Sequence, residues 1–203
     1  MATSLLSIAG ALGIARGLEG GVEEWYPTVV IWAGALFLLT NYESSGPYSL
    51  RLKDRGLPGN VAISLSVGML VLFGAAGVFE PFNLRAWSMF VVGVLYTLAR
   101  EIVKDIEDME GDKGRSTYAM RVGPEKARTV AWVILLLTLA SLLMPFGIGV
   151  FPELHLLGVI PAVVLLLTVK GRLMASEDHA AQQLIKKSMY LALAAFLGSS
   201  LLA

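Results

Sequence analysis

The sequence predicts an all-α fold: a polytopic transmembrane helical bundle of about seven spans. Three observations carry that expectation. The 203 residues are 56% hydrophobic and only 16% charged, with a mean hydropathy of +0.69, whereas a water-soluble domain carries about 25% charged residues. Apolar runs such as 130–143 and 156–169 are too long for strands of a small soluble core and lack the alternation of a barrel strand. Helices then remain as the way to satisfy backbone polar groups in lipid. Polar residues are gathered between the runs rather than spread through them.

In chain order the spans are expected at 2–18, 26–42, 59–79, 85–103, 127–146, 153–169 and 183–202, near the roughly 17–25 residues a bilayer requires. The first starts at Met1 and is interrupted by Gly10, Gly13 and Arg16, with no basic region before it and no cleavage site after it to suggest a signal peptide. The second ends on Asn41 and Tyr42, which face either a cavity or a neighbouring helix. Asn60, directly after Pro58 and Gly59, is either the cap of the third span or a ligand contact. The fourth runs into a charged segment beginning at Arg100, and the last three are carried by continuous apolar stretches. Trp25, Tyr26 and Trp87 stand where an aromatic belt belongs, and His155 and His179 read as ordinary interface residues. No linker or low-complexity tract divides residues 1–203, so a single domain is expected.

Charge and cysteine content remove several function classes. Sixteen Lys and Arg balance sixteen Asp and Glu, so no basic excess points to nucleic acid. Without cysteine there is no disulfide, thiol nucleophile or thiolate metal site, and two distant histidines do not build a zinc site. Fourteen of the sixteen Lys and Arg lie in or beside the loops 43–58, 104–126 and 170–182, leaving Arg16 and Arg85 toward the short loops 17–25, 80–84 and 147–152. That asymmetry places the three long loops in the cytoplasm, with the chain threaded through the cell membrane.

The chemistry converges on the same face. In the run Arg100-Glu-Ile-Val-Lys-Asp-Ile-Glu-Asp-Met-Glu-Gly-Asp112, a continuous helix would bring Glu101, Asp105, Asp108 and Asp112 within an arc of about 60°. Like charges so placed repel one another. Either a divalent cation compensates them, Mg²⁺ being the ion that takes one or two carboxylates plus phosphate oxygens and water, or the stripe is a solvated helix end paired by Lys104, Lys113 and Arg115. A second patch, Tyr48-Ser-Leu-Arg51-Leu-Lys53, lies two spans earlier and so on the same side. Alone it reads as an interfacial anchor; facing the acidic stripe it forms a diphosphate clamp.

At these residues the chain resembles the UbiA family of intramembrane prenyltransferases, most closely the archaeal-type branch that makes digeranylgeranylglyceryl phosphate. The segments Tyr48–Lys53, Leu57-Pro-Gly-Asn60 and Arg100–Asp112, with Thr117 and Gly123 after them, carry the resemblance, which covers nearly the whole chain. Members of that family have nine helices and two aspartate-rich motifs. The first, Asn-Asp-x-x-Asp, has no counterpart here because no Asn-Asp pair occurs, and the seven spans match the family's last seven, as in an N-terminally shortened domain.

The resemblance implies Mg²⁺ held by Asp105, Asp108 and Asp112, which form the catalytic set. It also implies substrate contacts from Tyr48, Arg51, Lys53, Asn60, Lys104, Lys113 and Arg115. The implied reaction moves a geranylgeranyl group from an allylic diphosphate to a lipophilic acceptor, geranylgeranylglyceryl phosphate, within the membrane lipid. Aromatic acceptors of other branches, and a catalytically silent homologue, stand beside it as alternatives. A phosphatidyl-alcohol transferase would need an Asp-Gly-x-x-Ala-Arg stretch that does not precede Asp108, and a transporter would show repeats and mid-membrane charge.

Overall fold

Helix is the regular structure throughout, as the apolar runs require. The computed structural model describes residues 6, 8–10, 13, 21–43, 46, 49–111 and 116–202, and among them no strand occurs. The long helices are α1 (Gly21–Glu43), α2 (Leu57–Gly77), α3 (Leu84–Glu107), α5 (Pro124–Gly147), α6 (Leu156–Met174) and α7 (Asp178–Leu202), with a short α4 (Tyr118–Val122) between α3 and α5. Single 3₁₀ turns at Leu52–Asp54, Asp108–Glu110 and Glu153–His155 lead into or out of them.

Among the described residues, five helices are long and apolar enough to cross a membrane: α2, α3, α5, α6 with the turn before it, and α7. They carry five of the seven expected spans. The span expected at 26–42 lies inside α1, which has the length but not the composition. Glu23 and Glu24 open it, and Thr40 to Glu43 close it, confining its apolar stretch to residues 29–39. The span expected at 2–18 lies almost wholly outside the described residues. One loop differs from expectation: 170–182 is not a long connection, because α6 and α7 continue past their apolar segments and leave only residues 175–177 between them. Arg172 pairs with Glu177 across that turn. Hydropathy marks the part of a helix that sits in lipid, whereas helix length includes a charged overhang in water.

Helix α3 is the hub. It packs against α2 on one side and against α5 and α7 on the other, while α6 closes against α5 and α7 and α1 lies against α2. The buried surface is rich in small residues, as helix packing in lipid favours. Ala99, Ala127, Ala131, Ala162 and Ala181 are fully enclosed beside Tyr96, Ile102, Leu135, Leu166 and Phe196. Gly68 shows how close α2 and α3 come: a Cβ there would sit 2.5 Å from Val94 Cγ2 and 2.9 Å from Phe90 Cδ2. At the short-loop end, Phe146, Phe151 and Phe196 form an aromatic cluster, and the Arg85 guanidinium lies 5.5 Å from the centre of the Phe151 ring.

Alternating helix direction puts the start of α2, the end of α3, all of α4 and the α6–α7 turn on one face. That is the face with the basic connections. Trp25 and Trp87 sit at helix starts on the other face, the indole of Trp87 donating to the Pro81 carbonyl at 3.0 Å.

Candidate active site

The polar face is built from two segments far apart in sequence. Gly56, with φ of 67°, turns the chain into α2, and Pro58 follows in the first turn, where its missing N–H costs nothing. The helix therefore starts at Leu57, and Asn60 is not its cap. Instead Asn60 Nδ2 donates to Asp105 Oδ2 at 2.9 Å, joining the first turn of α2 to the last turns of α3. Asn60 is buried, Asp105 is half-buried, and Ser64 Oγ donates back to the Asn60 carbonyl at 2.6 Å.

The loop before α2 is pressed onto the segment after α3. A Cβ on Gly59 would lie 2.3 Å from the Leu52 carbonyl oxygen, and one on Gly56 would lie 3.1 Å from the Tyr118 nitrogen. Both positions need glycine because backbone passes against backbone. Arg121 Nη2 donates to the Asp54 carbonyl at 3.1 Å, tying α4 to the same loop. Thr117 Oγ1 accepts from the Met120 amide and caps α4.

Further along the face, Glu107 pairs with His179 Nδ1 at 2.6 Å. Arg128 grips Asp178 through Nε and Nη2 at 2.8 and 2.6 Å. These pairs anchor the start of α7 to α3 and α5. His179, expected to be an ordinary interface residue, is thus a helix–helix tie.

An apolar cavity of about 270 Å³ opens between α2, α3 and α7, lined by residues including Gly68, Met89, Gly93, Tyr96, Met189 and Phe196. Tyr96 is fully buried. Its hydroxyl donates to Ser188 Oγ at 2.7 Å, because Ser188 spends its own hydrogen on the Ala162 carbonyl at 2.7 Å. Val67, which also lines the cavity, lies seven residues from Asn60 and Tyr96 nine from Asp105, so the cavity begins about 10–14 Å below the Asn60–Asp105 pair along the helix axes. A polar face above an apolar cleft is the shape an amphiphile with a charged head requires.

The expected site residues fall into groups. Asp105 and Asn60 meet. Asp108 is half-buried and begins the 3₁₀ turn that follows α3. The α-helix ends at Glu107, so the continuous helical stripe expected through residue 112 does not form. Lys104 is exposed in the last turn of α3. Lys53 is turned toward Glu43 at 3.4 Å rather than toward the carboxylates, and Arg51, exposed with φ of 46°, starts the Leu52–Asp54 turn. Tyr48, Asp112, Lys113 and Arg115 lie outside the described residues. Among the described residues no three carboxylates or imidazoles gather into a metal-binding group. Sequence reasoning missed the Arg121 tie and the Tyr96–Ser188 pair, since a lone Arg in a loop and a lone Ser in an apolar helix carry no spacing signal.

The sequence matches the UbiA prenyltransferase family over residues 2–196. Curated relatives named digeranylgeranylglyceryl phosphate synthase agree with it. The protein of Haloquadratum walsbyi is 35% identical over 70% of this chain and 51% of its own length. That of Halobacterium salinarum is 32% identical over 94% and 68%, and that of Thermococcus kodakarensis 33% identical over 93% and 68%. The chain thus spans between about half and two thirds of the length of these relatives. No solved structure gives a significant match. With helices apolar enough to cross a bilayer and a match running through nearly all of them, the chain is an integral membrane protein belonging to the UbiA prenyltransferase family.

Proposed function

We propose that the chain takes part in transfer of a geranylgeranyl group from geranylgeranyl diphosphate to geranylgeranylglyceryl phosphate, a step of ether-lipid synthesis. The observation that carries this is the juxtaposition of the Asn60–Asp105 pair with the apolar cavity beneath it. The diphosphate sits at the polar face, and the prenyl chain runs down between α2, α3 and α7. The relatives' shared name, digeranylgeranylglyceryl phosphate synthase, supports the choice of donor and acceptor.

Members of the family generally depend on a divalent metal. The donor chemistry here fits Mg²⁺, which takes one or two carboxylates and completes its shell with phosphate oxygens and water. Asp105 and Asp108, with Asp112, are the residues that would hold it, and the bound ion would neutralise the departing pyrophosphate. Asn60 fixes the Asp105 carboxylate. Lys104 and Arg51 supply positive charge around the phosphates, and the family resemblance adds Tyr48, Lys53, Lys113 and Arg115 as candidate substrate contacts. The bond from the allylic carbon to the diphosphate oxygen breaks and its electron pair leaves with pyrophosphate. The acceptor hydroxyl oxygen forms the new carbon–oxygen bond and passes its proton to the released pyrophosphate. Walls of apolar helix keep water from the allylic cation. The excess of Lys and Arg on this face orients it to the cytoplasmic side of the cell membrane.

The test is a transfer assay in proteoliposomes with geranylgeranyl diphosphate and either geranylgeranylglyceryl phosphate or an aromatic quinone precursor. Ether product from the first acceptor alone is the expected result. Transfer to the aromatic acceptor, or to neither, rejects the assignment.

A further inference from the structure

Arg100, in α3, is a half-buried charge at the inner edge of the polar face. Its Nη1 lies 2.7 Å from Glu101 Oε1, and the two side chains are mostly enclosed, 26% and 16% exposed. Its Nε is shut away from water and has no acceptor among the described residues. An unpaired guanidinium N–H out of water costs free energy that an arginine merely reaching for the interface would avoid by snorkelling. Position explains what is missing. On α3, Met89, Gly93, Tyr96, Arg100 and Lys104 fall within an arc of about 80°, whereas Asp105 is turned about 140° from Arg100 toward α2. The first three line the cavity. Arg100 therefore stands one turn, about 6 Å, above Tyr96 on the stripe that faces the seam between α2 and α7.

We infer that Arg100 binds the phosphate end of a chain lying in that cavity, its Nε and remaining Nη taking two oxygens of an allylic diphosphate. Arginine presents these donors as a planar fork that matches phosphate geometry, and Glu101 holds the fork by its other edge. The inference rests on the site reading given under Proposed function and adds to it a residue on a different face of α3 from the carboxylates. A cation on the cavity stripe meets the head group where the chain emerges.

The experiment measures binding by the detergent-solubilised full chain of two probes: the non-cleavable geranylgeranyl thiolodiphosphate and geranylgeraniol, the same chain without phosphate. Arg100→Gln is expected to weaken thiolodiphosphate binding by about ten- to a hundredfold, the worth of hydrogen bonds to a charged group, while geranylgeraniol binds as to wild type. Arg100→Lys, which keeps the charge but not the fork, falls between. Unchanged thiolodiphosphate binding in Arg100→Gln overturns the assignment. Equal loss of both probes also overturns it, because that is the mark of a packing role. If wild type binds geranylgeraniol but not the thiolodiphosphate, the diphosphate reading of the whole site fails and the Arg100 assignment falls with it.

Discussion

Gly93→Leu isolates the cavity from the rest of the fold. Gly93 lines the cavity, and a Cβ built there meets nothing within 4 Å, so a leucine side chain enters open space rather than a neighbouring helix. Gly68, on the opposite wall, is the contrast, since a Cβ there strikes Val94 at 2.5 Å. Replacing a mid-helix glycine with leucine raises helix propensity by up to about 1 kcal/mol, so the variant is expected to unfold at or above the wild-type temperature. Four added carbons in a space of about 270 Å³ occupy much of the room one five-carbon prenyl unit needs. Overpacking costs about 1–3 kcal/mol, which is about a five- to hundredfold loss of affinity for the twenty-carbon donor. A ten-carbon donor that does not reach Gly93 loses little. Competition binding with donors of ten, fifteen and twenty carbons reads the difference directly. A loss independent of chain length, or full retention of the longest donor, refutes placement of the chain in this cleft.

Asn60→Leu removes the donor to Asp105 while keeping bulk in the first turn of α2. Losing a hydrogen bond to a charged group costs about 1.5–3 kcal/mol, so metal-dependent diphosphate binding is expected to fall about tenfold, and unaltered binding separates Asn60 from the site. Asp178→Ala leaves Arg128, 12% exposed, with the exposed Glu125 as its remaining partner among the described residues. Losing this half-buried two-point contact is expected to cost about 1.5–3 kcal/mol, seen as a lower thermal midpoint in detergent, and no shift rejects the tie as a stability element. Because the chain has no cysteine, Arg55→Cys and Glu80→Cys each carry the only thiol. Arg55→Cys is expected to react with an impermeant maleimide from the cytoplasmic side alone and Glu80→Cys from the other, and the reverse pattern inverts the orientation.

The bundle was legible because apolar length is a local property, and α2, α3, α5, α6 and α7 could each be read from their own residues. Their ends were not. Arg172 and Asp178 extend α6 and α7 beyond the lipid segment, and α1 begins at Gly21, five residues ahead of the span expected at 26–42. At the site, Asn60 and Asp105 were both singled out, but their bond spans 45 residues of sequence and no periodicity reaches that far. The cap reading of Asn60 failed because Gly56 and Pro58 start the helix three residues earlier. The acidic stripe assumed a helix through residue 112, whereas the α-helix stops at Glu107 and tightens into a 3₁₀ turn. Arg100 is legible in the sequence as the start of the charged segment Arg100–Asp112 that carries the resemblance. The spacing Tyr96, Arg100, Lys104 was available as a stripe of its own, but its meaning depended on knowing that α7 and α2 leave a cleft beside it.

The most direct measurement is calorimetric titration of geranylgeranyl diphosphate into the full chain with and without Mg²⁺, repeated with Asp105→Asn,Asp108→Asn. Carboxylates that hold a cation against the phosphates predict tight binding in wild type with Mg²⁺, a loss of about tenfold or more when the ion is chelated, and no Mg²⁺ response in the double variant. Binding of equal strength in all four titrations would contradict the claim that the end of α3 is a metal-assisted diphosphate site.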